Sequence, residues 1–190
     1  MTGWSERERR SVALKAALLL LIVPFWTPQS FSQPIFSTEY DIKAALLFNL
    51  TQFTEWPART FSDTNAPIVI GVLGENPFGA RLDKVVAGER VQNRPVITRY
   101  FNDPDEVKCH VLFISKSETL RVDRLISKFR GSAMLTVSDI DRFARRGGMV
   151  RFVTERGRVR FNINPGEVEA AGLKLSSKLL RIAEIVSTEK

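Results

Sequence analysis

Residues 67–73, PIVIGVL, are the stretch on which the fold turns. The run is short, nearly all apolar and rich in β-branched residues, the composition of a strand covered on both faces. Such strands belong to parallel sheets flanked by helices, so the neighbouring segments should alternate between the two periods. Downstream they do. Phe78 to Val86 has helical spacing, Val96 to Phe101 is strand-like, and Val111 to Ile114 is a second buried strand. Leu120 to Phe129 reads as an amphipathic helix, Ala133 to Val137 as a third apolar strand, and Asp139 to Arg145 as a short helix ended by Gly147-Gly148. Met149 to Val153 and Val159 to Ile163 alternate across TERGR, where Gly157 can supply the positive φ of a hairpin loop.

The ends of the chain extend the pattern. Asn164-Pro165-Gly166-Glu167 offers a cap residue, a proline at the first turn and an acid three residues after the cap, so a last helix is expected from there. Upstream, Thr38-Glu39-Tyr40-Asp41 has the form of a capping box. Ile42, Leu46, Asn49, Phe53 and Trp56 follow at helical spacing, and Trp56-Pro57 ends that element. The expected fold is α/β: a single-domain sandwich with a largely parallel sheet, an antiparallel C-terminal hairpin edge and flanking helices. A chain of 190 residues with 44% hydrophobic content suits one core.

Residues 1–32 read as a secretory signal and 33–190 as the folded domain. Arg7, Arg9, Arg10 and Lys15 form a basic start, and Ala16 to Trp26, AALLLLIVPFW, is too short to span a bilayer. Ser30-Phe31-Ser32 then offers small residues before a cut at Gln33. The expected location is the periplasm. The whole chain has 28 basic and 21 acidic residues; losing 1–32 removes four and two, leaving 24 against 19, a net +5. Outside the cytoplasm a basic surface meets little nucleic acid, and anionic head groups, an acidic protein or a small anion become the expected partners.

The single cysteine and single histidine, Cys109 and His110, are adjacent in KCHVLFIS (108–115). Successive side chains of a strand point to opposite faces, so the two cannot act as a nucleophile and its base. With no other His or Cys, a zinc-type metal site also lacks ligands. The expectation is a buried thiol in a core strand with a histidine at its entrance.

Ligands of parallel sheets approach the strand carboxyl ends. There the chain carries GENPFG (74–79), with Gly74, Asn76 and Gly79, followed later by Ser117 and Ser138. These could hold a small anion, although no phosphate-loop lysine follows and helix capping explains Asn76, Ser117 and Ser138 equally well. Asp139 and Asp141 lie two apart, which by itself makes no carboxylate pair. No specific enzyme signal emerges, and no cofactor is implied.

The other candidate is a basic surface. Lys174, Lys178 and Arg181 fall at i, i+4 and i+7 of the expected last helix, beside an apolar stripe of Val168, Leu175, Leu179, Ile182 and Val186. Arg151, Arg158 and Arg160 alternate onto one side of the hairpin.

KAALLFNLTQFTEWP (43–57), GENPFG (74–79), NRPVITRYF (93–101), CHVLFIS (109–115), LTVSDIDRFARRGGMVRFV (135–153) and VRFNINPGEVEAAGLKLSSKLLRIA (159–183) resemble, in this order, the YfiR family of periplasmic proteins. The resemblance implies an α/β fold, export, frequent dimerisation and no enzymatic activity. It also implies a partner: the periplasmic region of an inner-membrane diguanylate cyclase or other sensor, which such proteins repress, and an outer-membrane lipoprotein that relieves the repression. The best-understood members of that family carry further cysteines that form disulfides; Cys109 stands alone, so no intrachain bridge is available. The expected function is a non-enzymatic regulator that binds a sensor through Lys174, Lys178, Arg181, Arg158 and Arg160. The alternative is a binding module for a small anion at Gly74, Asn76, Gly79, Ser117 and Ser138.

Overall fold

The computed structural model describes residues 35–189; the signal segment and its cleavage point at 32/33 lie outside the described residues. Helix α1 (Ile35–Phe53) leads into β1 (Thr54–Glu55). Then follow β2 (Ile68–Leu73), α2 (Arg81–Val86), β3 (Arg90–Val91), β4 (Arg94–Phe101) and β5 (Val111–Ile114). The second half comprises α3 (Val122–Phe129), β6 (Leu135–Ser138), β7 (Val150–Glu155), β8 (Arg158–Ile163), α4 (Pro165–Ala170), β9 (Lys174–Leu175), α5 (Ser177–Leu180) and β10 (Glu184–Ile185).

Eight strands form one sheet in the order β10-β8-β7-β6-β5-β2-β4-β3, while β1 and β9 pair separately. Strands β4, β2, β5, β6 and β7 run parallel; β8 turns back antiparallel and β10 lies parallel to β8. Every residue of β2, β5 and β6 is buried, because helices cover both faces of the sheet. The period-2 alternation divides the core accordingly. Val111 and Phe113 pack with Ala44, Leu47 and Leu50 of α1, whereas Leu112 and Ile114 pack with Val122, Leu125 and Phe129 of α3. The hairpin turns through Arg156 and Gly157, both at positive φ (49° and 74°), the turn that suits the twist of the strands.

Three helices differ from the sequence reading. The face of α1 that is buried carries Lys43, Ala44, Leu47, Leu50 and Thr51; Ile42 and Asn49 are exposed. The helix is thus rotated by about one residue from the expected stripe, and it begins upstream of Thr38. The expected single last helix, whose stripe ran from Val168 to Val186, is four elements: α4, β9, α5 and β10. Gly172 sits at φ 73°, and the Leu173 N–H returns to the Val168 carbonyl, a left-handed helix stop that glycine accepts at no steric cost. The chain then extends so that Leu175 and Lys174 pair with Thr54 and Glu55. Lys174, Lys178 and Arg181 therefore do not form one helical stripe. Similarly, Asp139 to Arg145 is not an α-helix but a bend followed by a 3-10 turn at Phe143–Arg146.

Candidate functional site

Strand β2 has β4 on one side and β5 on the other, so the direction of winding reverses between β2 and β5. The crevice at the carboxyl ends of these two strands is where α/β sheets usually take ligands. Gly74 and Ser117 do meet there. Their polar groups, however, are occupied by the loops themselves: Ser117 Oγ accepts the Glu75 N–H at 3.0 Å. Asn76 accepts from the Phe78 N–H (2.9 Å) and donates to the Gly79 carbonyl (3.0 Å). Ser138 Oγ donates to the Ile114 carbonyl at 2.7 Å and accepts from the Ile140 N–H. These are the bonds of capping residues and tight turns. Behind Ser117, buried Glu118 pairs with Arg121.

Next to this crevice lies an ionic node. Asp139, one residue beyond β6, accepts from Lys43 Nζ at 2.6 Å and from the Tyr40 hydroxyl at 2.9 Å. The side chains of Lys43 and Asp139 are 1% and 2% exposed. Glu39, one turn earlier on α1, is 2.5 Å from Lys43 Nζ, and its carboxylate accepts the Thr154 hydroxyl. Burial opposes the charge on Glu39, but the bonds from Lys43 and Thr154 outweigh it and hold the carboxyl below its usual range. Burial, together with the Asp139 charge, pushes the Tyr40 phenol well above its ordinary value. Among the described residues Asp139 Oδ1 finds no hydrogen-bond partner. Asp141 points elsewhere, to Arg151 at 2.7 Å, so the two aspartates share no site. The node was missed in the sequence, where its only signal was that Lys43 is in helical phase with Leu47, Leu50 and Thr54 and follows Glu39 by four residues.

At the opposite, amino end of the same strands, His110 is buried and its Nδ1 accepts the Val69 N–H at 3.0 Å. Phe61 stacks on the ring at 4.7 Å and Trp56 meets it edge-on. Arg94 lies over the Phe61 ring, 3.8 Å from its centroid. Burial, helped by the Arg94 charge, lowers the imidazole pKa to about 4, so the ring is neutral at pH 7. Cys109 packs toward the opposite face, with Sγ 3.3 Å from Met134 Sδ. Burial pushes its thiol up to about 12. Among the described residues no group of three or more His, Cys, Asp or Glu could hold a metal ion.

The basic groups divide between two places. Arg160 and Arg181 line one groove of about 280 Å³, together with Val153, Phe161, Asn162 and Ile182. Register places Arg151 opposite Asn162, so Arg151, Arg160 and Arg158 do share a face of the hairpin. Lys174 lies in another groove, of about 380 Å³, with Val168, Leu173, Leu175 and Leu180. Lys178 is exposed on α5. Among the described residues Arg158, Arg160, Arg181, Lys174 and Lys178 make no ion pair, while Arg151 does.

Among the described residues the strand-end polar groups bond to backbone at the strand ends themselves, and the candidate cations without an ion pair are spread over the hairpin, the two grooves and α5. The chain belongs to the YfiR/HmsC-like family, whose model matches residues 40–184. No curated protein matches it. Among the described residues no helix is long and apolar enough to cross a membrane.

Proposed function

We propose that this chain is a periplasmic regulator that binds the periplasmic region of an inner-membrane sensor and represses a diguanylate cyclase, so lowering cyclic di-GMP. The observation that carries this reading is the family match over residues 40–184. Repression of this kind needs no chemistry from the chain. It needs tighter binding to one conformation of the sensor than to the other. Arg158, Arg160 and Arg181, which make no ion pair among the described residues, together with Lys174 and Lys178, are the contacts we assign to an acidic partner surface. Rim charges of this type set association rate and salt dependence. An outer-membrane lipoprotein competing for the same surface would relieve the repression.

The test is cyclic di-GMP in a strain lacking the gene, with and without the candidate cyclase. Deletion should raise the nucleotide only when the cyclase is present, and Lys178→Glu with Arg181→Glu should partly reproduce the deletion while the protein stays folded. Unchanged levels in all strains would remove the cyclase from the reading.

A further inference from the structure

The two edges of the main sheet are finished differently. At one edge β3 is joined to β4 through Gln92 and Asn93, Val91 is buried, and Arg90 donates to the Asn93 carbonyl, so the edge is short, charged and folded onto itself. This is the usual protection against pairing with another chain. At the other edge β10 carries exposed Ile185 (53%), preceded by Ile182 at 71%. The Val186 N–H bonds back to Ile163 of β8. Alternation along the strand therefore turns the N–H and carbonyl of Ile185 outward. Among the described residues the N–H groups of Ala183 and Ser187, on either side of β10, find no backbone acceptor. Beside this edge lie Arg160 and Arg181, which have no ion pair among the described residues. The groove holds two acids: Glu184, already engaged by Asn162 at 2.9 Å and by Arg145, and Glu155, which the hairpin register sets opposite Arg158.

From these observations we infer that β10 is a docking edge for an extended, acidic segment of a partner protein, which adds to the sheet as a further strand. Its backbone would pair with Ala183, Ile185 and Ser187. Its apolar side chains would cover Ile182 and Ile185, and its carboxylates would meet Arg160 and Arg181. Main-chain bonds supply affinity in this mode, and alternate side chains supply selectivity. The charge balance of the edge selects an acidic strand over a basic one. The inference deepens the regulatory reading above by giving the partner segment a conformation and a charge.

The experiment uses the folded chain and a short acetylated peptide of alternating Glu and Val, with the Lys/Val counterpart as control, followed by anisotropy and amide hydrogen exchange. The acidic peptide should bind in a salt-sensitive manner and protect amides 183–187. Arg160→Glu with Arg181→Glu should weaken it by about tenfold, and so should Ser187→Pro, whose lost N–H has no backbone acceptor among the described residues; thermal melts establish that each variant is folded. Equal affinity for the two peptides, or protection elsewhere on the chain, would overturn the proposal. Protection of 183–187 by rising protein concentration alone would overturn it in favour of a second copy as occupant. The cyclic di-GMP measurement is independent: a rise on deletion without peptide protection removes strand addition and leaves the regulator. Protection without any change in the nucleotide keeps the edge and removes the cyclase.

Discussion

The two ends of the parallel strands bury polar groups in opposite ways. At the carboxyl end Asp139 is met by Lys43 and by the Tyr40 hydroxyl, with Lys116 3.8 Å away. At the amino end His110 lies among Trp56 and Phe61 and sheds its proton instead. Among the described residues each leaves one buried atom without a hydrogen-bond partner, Oδ1 in the first and Nε2 in the second. The lesson is that a buried ionisable group persists as an ion only where a counter-ion is delivered to it. Here α1 delivers one to β6 and nothing delivers one to β5.

The sharpest way to break this contrast is to remove the counter-ion. Lys43→Met leaves Asp139 buried beside a hydroxyl and a half-distant amine, and it should cost about 3–5 kcal/mol. Replacing both partners, as Lys43→Met with Asp139→Asn, keeps an acceptor for Tyr40 and removes the stranded charge. The double variant should therefore be more stable than the single one. Urea midpoints of the three proteins check this. A single variant no weaker than the double would show that the node is not held by charge pairing.

How much of this contrast could be read beforehand follows the range of the interactions. PIVIGVL and VLFI announce doubly covered strands because the signal is local: apolar side chains on both parities. The hairpin at Gly157 is local too. The period of α1 was also legible, but its phase was not. Ile42 and Leu46 are as apolar as Leu47 and Leu50, and what decides between the two faces is Asp139, 96 residues from Lys43. At Gly172 the signal was present in the sequence, as a glycine followed by Leu173. The apolar spacing across Leu175, Leu179 and Ile182 hid it, since a strand and a short helix reproduced that spacing by chance. The basic candidates suffered in the same way: Arg160 and Arg181 meet in one groove only because the chain breaks there.

A second test acts on the amino end through pH. The unfolded chain holds His110 near its ordinary 6.5, while the folded value is about 4. The unfolded state thus binds the proton more readily between these limits, and stability falls as pH drops from about 6.5 to 4. Protonation would also take Nδ1 from the Val69 N–H. The expected loss is about 2 kcal/mol over that window. His110→Asn places an amide oxygen where Nδ1 was and does not titrate, so its urea midpoint should lose less over the same range. Identical pH profiles for the two proteins would contradict a neutral, buried imidazole. The depressed carboxyl of Glu39 contributes stability to both proteins that is fully present above its unfolded value and lost as pH falls through its folded one, so it cancels in the difference.

The smallest effect concerns Cys109, which sharpens the contrast because it lies beside His110 and faces the other layer. Its Sγ sits close over Gly71, where a Cβ would come within 2.8 Å, and against Met134. A neutral thiol suits that apolar seat; a thiolate would need a counter-charge that no cation supplies among its hydrogen-bond partners. With the thiol pushed up to about 12, almost none is ionised at mildly alkaline pH. Iodoacetamide should therefore modify Cys109 slowly in the native protein and completely in denaturant. Cys109→Ala should cost only about 1 kcal/mol, the loss of a few packing contacts with no charge left behind. Native alkylation as fast as in denaturant would place the thiol in water and make the amino end of the sheet less apolar than its neutral histidine implies.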